Sequence, residues 1–288
     1  MVSTETSPPP PESPAPPAWD DALLRNPHAV ADKRSRVQRM FAAIAPSYDL
    51  NNRLHSLWMD QWWRKKAVSL AHLSPTDTVV DVACGTGDLS FKFGEALALA
   101  NSERFEPQAL GTPLRVIGID FTFEMLPIAR RKSHYERTPG LGLALGDMSR
   151  AVRFINGDAQ SLPLADTCCD VVSIAFGIRN VADPAAAIAE FHRVLRPGGR
   201  LIILEFSLPT NALLRGLYNF YFRKVLPRTA TLISGDKTGA YKYLPESVNT
   251  FIGREQMAGM MTAAGFGQVE QFPLTFGVCV CYRGIKTS

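Results

Sequence analysis

The stretch that decides the fold is Val79-Val80-Asp81-Val82-Ala83-Cys84-Gly85-Thr86-Gly87-Asp88. It begins with β-branched residues, which favour a strand, and it ends in two glycines separated by a single threonine. From Asp88 to residue 98 the apolar residues recur at helical spacing, which predicts a helix. A strand, a glycine turn and a helix form the first unit of α/β folds in which backbone amides at the turn approach a ligand closely.

The same alternation continues on both sides of this unit. Apolar strands followed by helices indicate a parallel sheet that is covered on both faces. The last two strands follow one another along the chain, so at least one of them is expected to be antiparallel. The sequence therefore predicts an α/β, Rossmann-like fold with a mainly parallel seven-stranded sheet, helices on both faces and an antiparallel C-terminal edge strand. The predicted strands are 78–82, 116–119, 152–155, 171–175, 200–206, 268–275 and 278–283, and the predicted helices are 34–45, 58–72, 88–98, 123–132, 185–195 and 254–264.

The chain divides into a tail and one domain. Residues 1–19 hold seven prolines among serine, threonine and glutamate, which predicts disorder because few apolar groups offset the chain entropy. We expect residues 1–33 to be a disordered tail and 34–288 to be a single domain, in which the helical residues 34–73 cover the substrate. Two stretches rich in glycine, proline and polar residues, 101–114 and 137–150, look like insertions.

Composition narrows the classes of function. The five cysteines are an odd number and lack metal-site spacing, so we expect reduced thiols, no metal site and a cytoplasmic protein. No apolar run is long enough to span a bilayer, and no signal peptide is recognisable. The net charge of +4 is too small to indicate nucleic acid. The basic clusters at 64–66 and 130–132 are compatible with an anionic membrane surface, and a homodimer is left open.

Acidic residues after three successive strands indicate the cofactor. A dinucleotide site favours a third glycine where this chain has Ser90, and Asp88 places a negative charge near the phosphates. S-adenosylmethionine instead carries an ammonium and a sulfonium, which suit carboxylates. Asp81 is then expected to hold the ammonium, Asp120 the ribose hydroxyls, and Asp158 with Ala159 the adenine. The alternative is that each aspartate only caps the following helix.

Several motifs together resemble the ubiquinone/menaquinone biosynthesis C-methyltransferases, which are class I S-adenosylmethionine-dependent enzymes. The resemblance covers about residues 36–288, and its most specific block is FGIRNV. The motifs are FAAIAPSYD (41–49), DVACGTGD (81–88), AFGIRNV (175–181), RVLRPGG (193–199), LEFS (204–207), YLPES (243–247) and LTFG (274–277).

The resemblance implies a cofactor site and a reaction. Cys84 stands where the family usually has a glycine and Ala175 where it often has a serine, so Cys84 must avoid left-handed backbone and Ala175 can contribute only its backbone. The substrate implied is a polyprenylated quinol, demethylmenaquinol, methylated to menaquinol. Alternatives are 2-polyprenyl-6-methoxy-1,4-benzoquinol of ubiquinone biosynthesis, or a small molecule of another class. The predicted cofactor contacts are Asp81, Ala83, Gly85, Thr86, Gly87, Asp120, Phe121, Asp158, Ala159 and Ala175.

Methylation of a ring carbon requires an ionised neighbouring hydroxyl, and Arg179 is the predicted cation beside it. A phenol has a pKa of about 10, so ionising it near pH 7 requires a shift of roughly 3 pKa units, a free energy of about 4 kcal/mol. One cation ~4 Å away supplies this free energy at an effective dielectric constant near 20. Asn180 is expected to orient the quinol oxygen, and Tyr48 with Asp49 to close the pocket. The alternatives are an ion pair that holds the loop for Arg179, a packed aromatic for Tyr48 and a helix cap for Asp49.

Two aromatic stretches are candidates for handling the polyprenyl tail. Trp58, Trp62 and Trp63 beside the basic residues 64–66 resemble an interfacial element. Residues 214–226, with four aromatic side chains, are candidates for an apolar tunnel. Both stretches are equally compatible with core helices that have a solvated basic edge.

Overall fold

Seven strands form one sheet within the residues that the structure describes. The structure is a computed structural model, and it describes residues 18–102, 115–135, 151–234 and 238–287. The strand order is β3-β2-β1-β4-β5-β7-β6, with the first five strands parallel. The strands are β1 (Val79–Val82), β2 (Val116–Asp120), β3 (Val152–Asn156), β4 (Cys169–Ala175), β5 (Leu195–Phe206), β6 (Phe266–Leu274) and β7 (Cys279–Lys286).

Helices cover both faces of this sheet because successive strand residues point to opposite sides. Val79 packs into a core with the helices Met59–Leu70, Asp88–Ser102 and Met125–Tyr135. Its neighbour Val80 packs into a core with the helices Pro184–Val194 and Arg254–Ala263. The predicted fold class is therefore confirmed. The helices are α1 (Lys33–Ile44), α2 (Tyr48–Ser56), α3 (Met59–Leu70), α4 (Asp88–Ser102), α5 (Met125–Tyr135), α6 (Pro184–Val194), α7 (Ala212–Phe220), α8 (Leu226–Ser234), α9 (Ala240–Asn249) and α10 (Arg254–Ala263).

The predicted antiparallel strand is present, but it lies one place in from the edge. β7 pairs antiparallel with both β5 and β6, so the edge strand β6 runs parallel to β5. β7 lies between two neighbouring strands, which explains the continuous buried run Cys279–Tyr282 in its first half. Of the predicted insertions at 101–114 and 137–150, residues 101 and 102 end α4, whereas 103–114 and 137–150 lie outside the described residues, as do residues 1–17 of the predicted tail.

Five helices, α1, α2, α7, α8 and α9, form a separate layer that we call the lid, and the chain before α1 contributes to its core. The prediction that residues 1–33 form a disordered tail is wrong for residues 18–33. Trp19 is buried and stacks on Tyr243 of α9, with ring centroids 4.5 Å apart. Its amide donates to Thr238, and Gly239 (φ +85°) comes so close that a Cβ there would lie 2.7 Å from the Trp19 carbonyl oxygen. The two aromatic rings therefore hold the segment before α1 on the lid.

Trp19→Ala should lower the free energy of unfolding by about 3–5 kcal/mol, because a large side chain that is 2% exposed leaves a cavity in the lid. Trp62→Ala is the matched control, since Trp62 is 48% exposed and its removal should change stability by less than about 0.5 kcal/mol. Urea unfolding followed by circular dichroism measures both. A loss for Trp19→Ala as small as that expected for Trp62→Ala would contradict the role of Trp19 in the lid core.

Candidate active site

The loops that follow the first four strands meet at the carboxyl edge of the sheet and border a cavity of about 110 Å³, which we call the cofactor pocket. The strand order reverses here, since β1 lies between β2 and β4, and such a switch point is where open α/β sheets bind ligands. Seven of the ten predicted cofactor residues line this pocket: Ala83, Gly85, Asp120, Phe121, Asp158, Ala159 and Ala175.

The glycine loop places a backbone amide at the pocket wall. Gly85 has φ +56° and donates its amide hydrogen to Asp120 Oδ2 at 2.7 Å. Ala83 also has a positive φ, whereas Cys84 does not. The cysteine therefore meets the condition under which it can replace a glycine, and the left-handed turn is carried by its two neighbours.

Asp120 is the acidic group best placed for a ligand. Its carboxylate lines the pocket and accepts hydrogen bonds from the amides of Gly85 and Thr122, both at 2.7 Å. Burial raises its pKa to about 6, and these two amides together with the Thr122 side chain only partly oppose this. A carboxylate has about four acceptor positions, so Asp120 can still accept a hydrogen bond from a hydroxyl group.

Three predicted cofactor residues do not line the pocket. Asp81 is buried below the loop, where it accepts hydrogen bonds from Ser90 Oγ at 2.6 Å and Ser173 Oγ at 2.7 Å. The reason is strand alternation: Val82 lines the pocket, so its neighbour Asp81 points to the opposite face, where burial raises its pKa to about 6. The prediction that Asp81 holds an ammonium group in the pocket finds no support in this geometry.

Thr86 and Gly87, the other two, serve the loop itself. Thr86 Oγ1 donates to Asp49 Oδ1 at 2.6 Å, and a Cβ on Gly87 would lie 2.8 Å from the Phe154 ring. Thr86 thus joins the glycine loop to the lid, and Gly87 allows the loop to pack closely on β3.

Arg34 is a pocket residue that the sequence analysis missed. Its guanidinium pairs with Asp158 at 2.8 Å and lies 4.5 Å from the centre of the Phe121 ring. Asp158 therefore forms an ion pair in addition to lining the pocket, and this ion pair connects α1 to the cofactor pocket. The sequence offered no signal, because an arginine on the first turn of a helix is ordinarily a solvated residue.

A second, larger cavity of about 330 Å³ lies between the lid and the sheet, and we call it the substrate chamber. Most of its walls are apolar or aromatic. Phe41, Tyr48 and Phe176 line both this chamber and the cofactor pocket. The other aromatic walls are Trp63, Phe206, Tyr218, Tyr221, Phe222, Tyr241, Tyr243 and Phe276.

Arg179 lines the chamber, and it also forms the ion pair that was the alternative prediction. Its Nη1 donates to Glu205 Oε1 at 2.6 Å and to the Phe176 carbonyl at 2.7 Å, and both charged side chains are buried. Asn180 differs from its prediction, because it lines the cofactor pocket rather than the substrate chamber. Asn180 donates to the Phe176 carbonyl at 3.2 Å and accepts from the Tyr243 hydroxyl at 2.9 Å.

Tyr48 reaches both cavities, whereas Asp49 reaches neither. Burial raises the pKa of Tyr48, so it stays protonated near neutral pH and acts as a donor. Asp49 instead accepts from Thr86 Oγ1 at 2.6 Å and from Lys132 Nζ at 3.0 Å. Asp49 therefore fixes the lid to the glycine loop and does not close the chamber directly.

Asp88 continues this buried network. It accepts from Lys132 at 2.6 Å and from Arg53 at 2.9 Å, and Arg53 also pairs with Asp60. Burial acts to raise the pKa of Asp88, but the cations Arg64, Lys132 and Arg53 outweigh it and hold this pKa well below its usual range. Because cations pair with Asp88 and it does not line the cofactor pocket, its charge does not by itself exclude a dinucleotide.

The pocket residues fit S-adenosylmethionine. Asp120 offers a carboxylate without a cationic partner among the described residues, which suits the ribose hydroxyls. Phe121 and Ala159 offer apolar surface for adenine, and the carboxylate of Asp158 stands beside them. At Gly157 a Cβ would lie 2.9 Å from Ile119, so the backbone there lies close against β2. Fold and pocket together define a class I S-adenosylmethionine-dependent methyltransferase.

Solved structures support this class at the level of the fold. A SAM-dependent methyltransferase of Thermotoga maritima superimposes with a TM-score of 0.53 at 20% identity, covering 87% of this chain and 100% of that chain. The [4+2]-cyclase SpnF gives a TM-score of 0.51 at 18% identity, covering 79% and 81%.

Sequence comparison identifies the family. The model of the ubiE/COQ5 methyltransferase family matches residues 29–286, and the chain belongs to this family. A demethylmenaquinone methyltransferase of Thermus thermophilus is 44% identical, covering 85% of this chain and 99% of that protein. One of Deinococcus radiodurans is 42% identical, covering 88% and 94%. A ubiquinone/menaquinone biosynthesis C-methyltransferase of a Geobacter species is 39% identical, covering 90% and 100%. The predicted family and cofactor are confirmed: the protein is an S-adenosylmethionine-dependent C-methyltransferase of menaquinone or ubiquinone biosynthesis, with a quinone-type substrate.

Affinity for S-adenosylhomocysteine should fall as the pH drops from 7 to 5, because protonation of Asp120, whose pKa is about 6, removes a hydrogen-bond acceptor from the ribose site. The loss should approach about tenfold at pH 5, where such a group is roughly nine-tenths protonated. Asp120→Asn should weaken binding at pH 7 by about 10- to 100-fold and remove most of the pH dependence. Isothermal titration calorimetry measures both.

Asp170→Asn is the control for this experiment. Asp170 accepts from the Thr78 amide and pairs with Arg196, and it does not line the cofactor pocket. This variant should retain the wild-type pH dependence, and the same slope in Asp120→Asn would contradict the role assigned to Asp120.

Proposed function

We propose that the protein methylates a ring carbon of demethylmenaquinol to give menaquinol. The observation that carries this proposal is the common wall of the two cavities, formed by Phe41, Tyr48 and Phe176. An aromatic ring in the substrate chamber lies directly across this wall from the cofactor pocket. Bound S-adenosylmethionine supplies the electrophilic methyl group of its sulfonium.

The chamber suits a flat, apolar quinol with few polar groups. Its walls are mostly aromatic, and its charged groups Arg64 and Arg179 are paired with Asp60 and Glu205. An aromatic cavity of this kind favours a fused ring system by burial of apolar surface. The relatives named as demethylmenaquinone methyltransferases support the naphthoquinol, while 2-polyprenyl-6-methoxy-1,4-benzoquinol remains the second candidate because other relatives carry both pathways in their name.

Arg179 acts in this proposal as an oriented hydrogen-bond donor rather than as a bare cation. Glu205, 2.6 Å from its Nη1, cancels much of its field, so the full 4 kcal/mol expected from one isolated charge is not available. A hydrogen bond to the quinol oxygen is worth about 1.5–3 kcal/mol when one partner is charged. Arg179 and the protonated Tyr48 both donate hydrogen bonds, so neither takes up the proton of the quinol hydroxyl, and this proton is released to water.

Purified protein supplied with S-adenosylmethionine and a reduced short-tailed demethylmenaquinol should form the product that carries one additional methyl group, detected by mass spectrometry. Demethylmenaquinol should be used with a higher kcat/KM than the 6-methoxy-benzoquinol, by about tenfold or more, because the fused ring buries more surface in the chamber. Turnover of the benzoquinol alone would contradict the assigned substrate and favour ubiquinone biosynthesis.

Arg179→Met should abolish turnover and also lower the free energy of unfolding by about 3–5 kcal/mol, because Glu205 is left as a buried unpaired charge. The double variant Arg179→Met/Glu205→Gln should recover most of this stability while staying inactive. Thermal unfolding and initial rates separate the two effects. Recovery of activity together with stability would show that Arg179 only holds the loop.

The substrate tail suggests where the protein meets a membrane. Leu213, Leu217, Phe220, Lys224 and Arg228 recur at helical spacing along α7 and α8 and are all exposed; we call them the apolar-basic face. Residues 208–234 contain no acidic residue. The same segment turns Tyr218, Tyr221 and Phe222 into the substrate chamber. One segment therefore lines the chamber on one side and presents the apolar-basic face on the other. The polarity and the charge of this face suit the surface of an anionic bilayer.

The α2–α3 corner extends this face. Leu57 and Trp58 are exposed at the corner with positive φ angles, followed by exposed Trp62, Lys65 and Lys66. Trp63 and Arg64, which were predicted to belong to an interfacial element, are instead buried in the core. None of the described helices is both long and apolar enough to cross a membrane, so contact would be confined to the bilayer surface.

Co-sedimentation with vesicles containing phosphatidylglycerol should capture the wild-type protein, and Leu217→Ser/Phe220→Ser should weaken the partitioning by about tenfold or more. Phe123→Ser is the matched control, because Phe123 is 56% exposed and Phe220 64%, but Phe123 is not part of the face. Absence of vesicle binding would contradict membrane docking. A dimer that sedimentation velocity finds only in the wild type would assign the face to a second copy instead.

A further inference from the structure

Lys33 is a buried cation that the mechanism above does not use. It is the first residue of α1 and is 3% exposed. Its Nζ donates to the Arg179 carbonyl at 2.9 Å, to the Val181 carbonyl at 2.6 Å and to His28 Nδ1 at 3.2 Å. The three ammonium protons thus have three acceptors, and no ion pair among the described residues includes Lys33. A lysine is rarely buried without a carboxylate partner, which points to a specific use.

His28 is held in the form that Lys33 requires. Its Nε2 lies 2.8 Å from the Ser247 carbonyl oxygen, which can only accept a hydrogen bond. Nε2 therefore carries the proton, and Nδ1 is left free to accept from Lys33. Burial lowers the pKa of His28 to about 4, so the ring is neutral at pH 7, and burial lowers the pKa of Lys33 to about 8, so the ammonium remains mostly charged there.

The two carbonyls that Lys33 binds belong to residues on either side of Asn180. Holding the carbonyls of Arg179 and Val181 fixes the backbone on both sides of Asn180. The two neighbouring residues 179 and 180 serve different cavities, since Arg179 lines the substrate chamber and Asn180 lines the cofactor pocket. Both side chains also donate to the Phe176 carbonyl. The loop that lines both cavities is thus fixed in two ways: the Phe176 carbonyl binds its side chains, and Lys33 binds its backbone carbonyls.

We propose that Lys33 is a positioning residue for methyl transfer, which together with His28 clamps the backbone of residues 179–181 so that Arg179 faces the substrate and Asn180 faces the cofactor. The clamp has an electrostatic consequence as well. Arg179 and Glu205 form a neutral pair, and Lys33 adds one uncompensated positive charge behind them. That charge favours an ionised quinol beside Arg179. The inference rests on the proposed function, because it concerns the same reaction.

Lys33→Met should lower kcat by roughly 10- to 100-fold, the effect of displacing reacting groups by about 1 Å. The KM for quinol and the Kd for S-adenosylhomocysteine should stay within about threefold, because the other walls of both cavities are unchanged. Lys33→Arg, which keeps a charged donor, should recover much of kcat. Steady-state kinetics and calorimetry on the full chain supply these values.

Lys286→Met is the matched control. Lys286 Nζ also donates to two backbone carbonyls, those of His192 and Leu195, both at 2.8 Å, but it lines neither cavity. This variant should change kcat by less than about threefold, even if it lowers thermal stability. A wild-type kcat in Lys33→Met, or equal effects of the two substitutions on kcat, would overturn the clamp.

Two His28 variants decide the matter if Lys33→Met does not fold. His28→Gln can donate to Ser247 and accept from Lys33, so kcat should be retained, whereas His28→Phe removes the acceptor and should lower kcat by about tenfold or more. Equal kcat in both variants would overturn the clamp. Failure of the wild type to methylate any quinol would overturn the proposed function together with the clamp, whereas wild-type turnover with an unaffected Lys33→Met would overturn the clamp alone.

Discussion

The carboxylates of Asp49, which is partly exposed, and of Asp88, which is buried, link the lid to the glycine loop, and these two elements border both cavities. Asp49 on α2 accepts from Thr86 and Lys132, and Asp88 at the start of α4 accepts from Lys132 and Arg53. Removing a cationic partner of the buried Asp88 leaves an unpaired charge, at a cost of about 3–5 kcal/mol. The wall between the two cavities includes Tyr48, which adjoins Asp49 along the chain. The position of that wall therefore depends on this charge network as well as on apolar packing, such as the edge-to-face contact of Phe41 with Tyr48.

Charge pairing also shapes what the substrate chamber can do. Arg64 is paired with Asp60 and Arg179 with Glu205, so the chamber has polar donors without a large net field from either arginine. An apolar tail and a neutral quinol can then enter without displacing a hydrated charge. The ionised quinol still needs stabilisation, and this comes from hydrogen bonding to Arg179 and from the unpaired charge of Lys33. The arrangement separates substrate binding, which favours neutral walls, from the chemical step, which favours a positive charge.

Local patterns predicted the sheet well, because each parallel strand is a short β-branched run between a turn and a helix. They missed α2, α8 and α9 and gave a helix at α7 only as an alternative; Pro46 resembles a break before α2, and Pro245 lies inside α9. Strand alternation could have shown that Asp81 and Val82 cannot face the same cavity. The partners of Asp49, by contrast, are 37 and 83 residues away, and the stacking of Trp19 on Tyr243 joins residues that are far apart along the chain. No local pattern carries such contacts, so the functions of Asp49 and Lys33 had to come from the structure.

The fold by itself does not determine the reaction, because a cyclase shares it with methyltransferases. The walls of the cofactor pocket come mostly from the loops of the sheet, between residues 82 and 182, and those of the substrate chamber mostly from the lid and from α3. The segment from α7 to α9, between β5 and α10, supplies much of the apolar chamber and also the apolar-basic face. Phe41 and Tyr48 of the lid and Phe176 of the sheet are the described residues that line both cavities, so the lid and the sheet must keep a fixed relative position at this common wall. A change in the lid that left these three residues in place would alter which quinol is bound. A change in the three residues themselves would alter the distance between the quinol and its methyl donor.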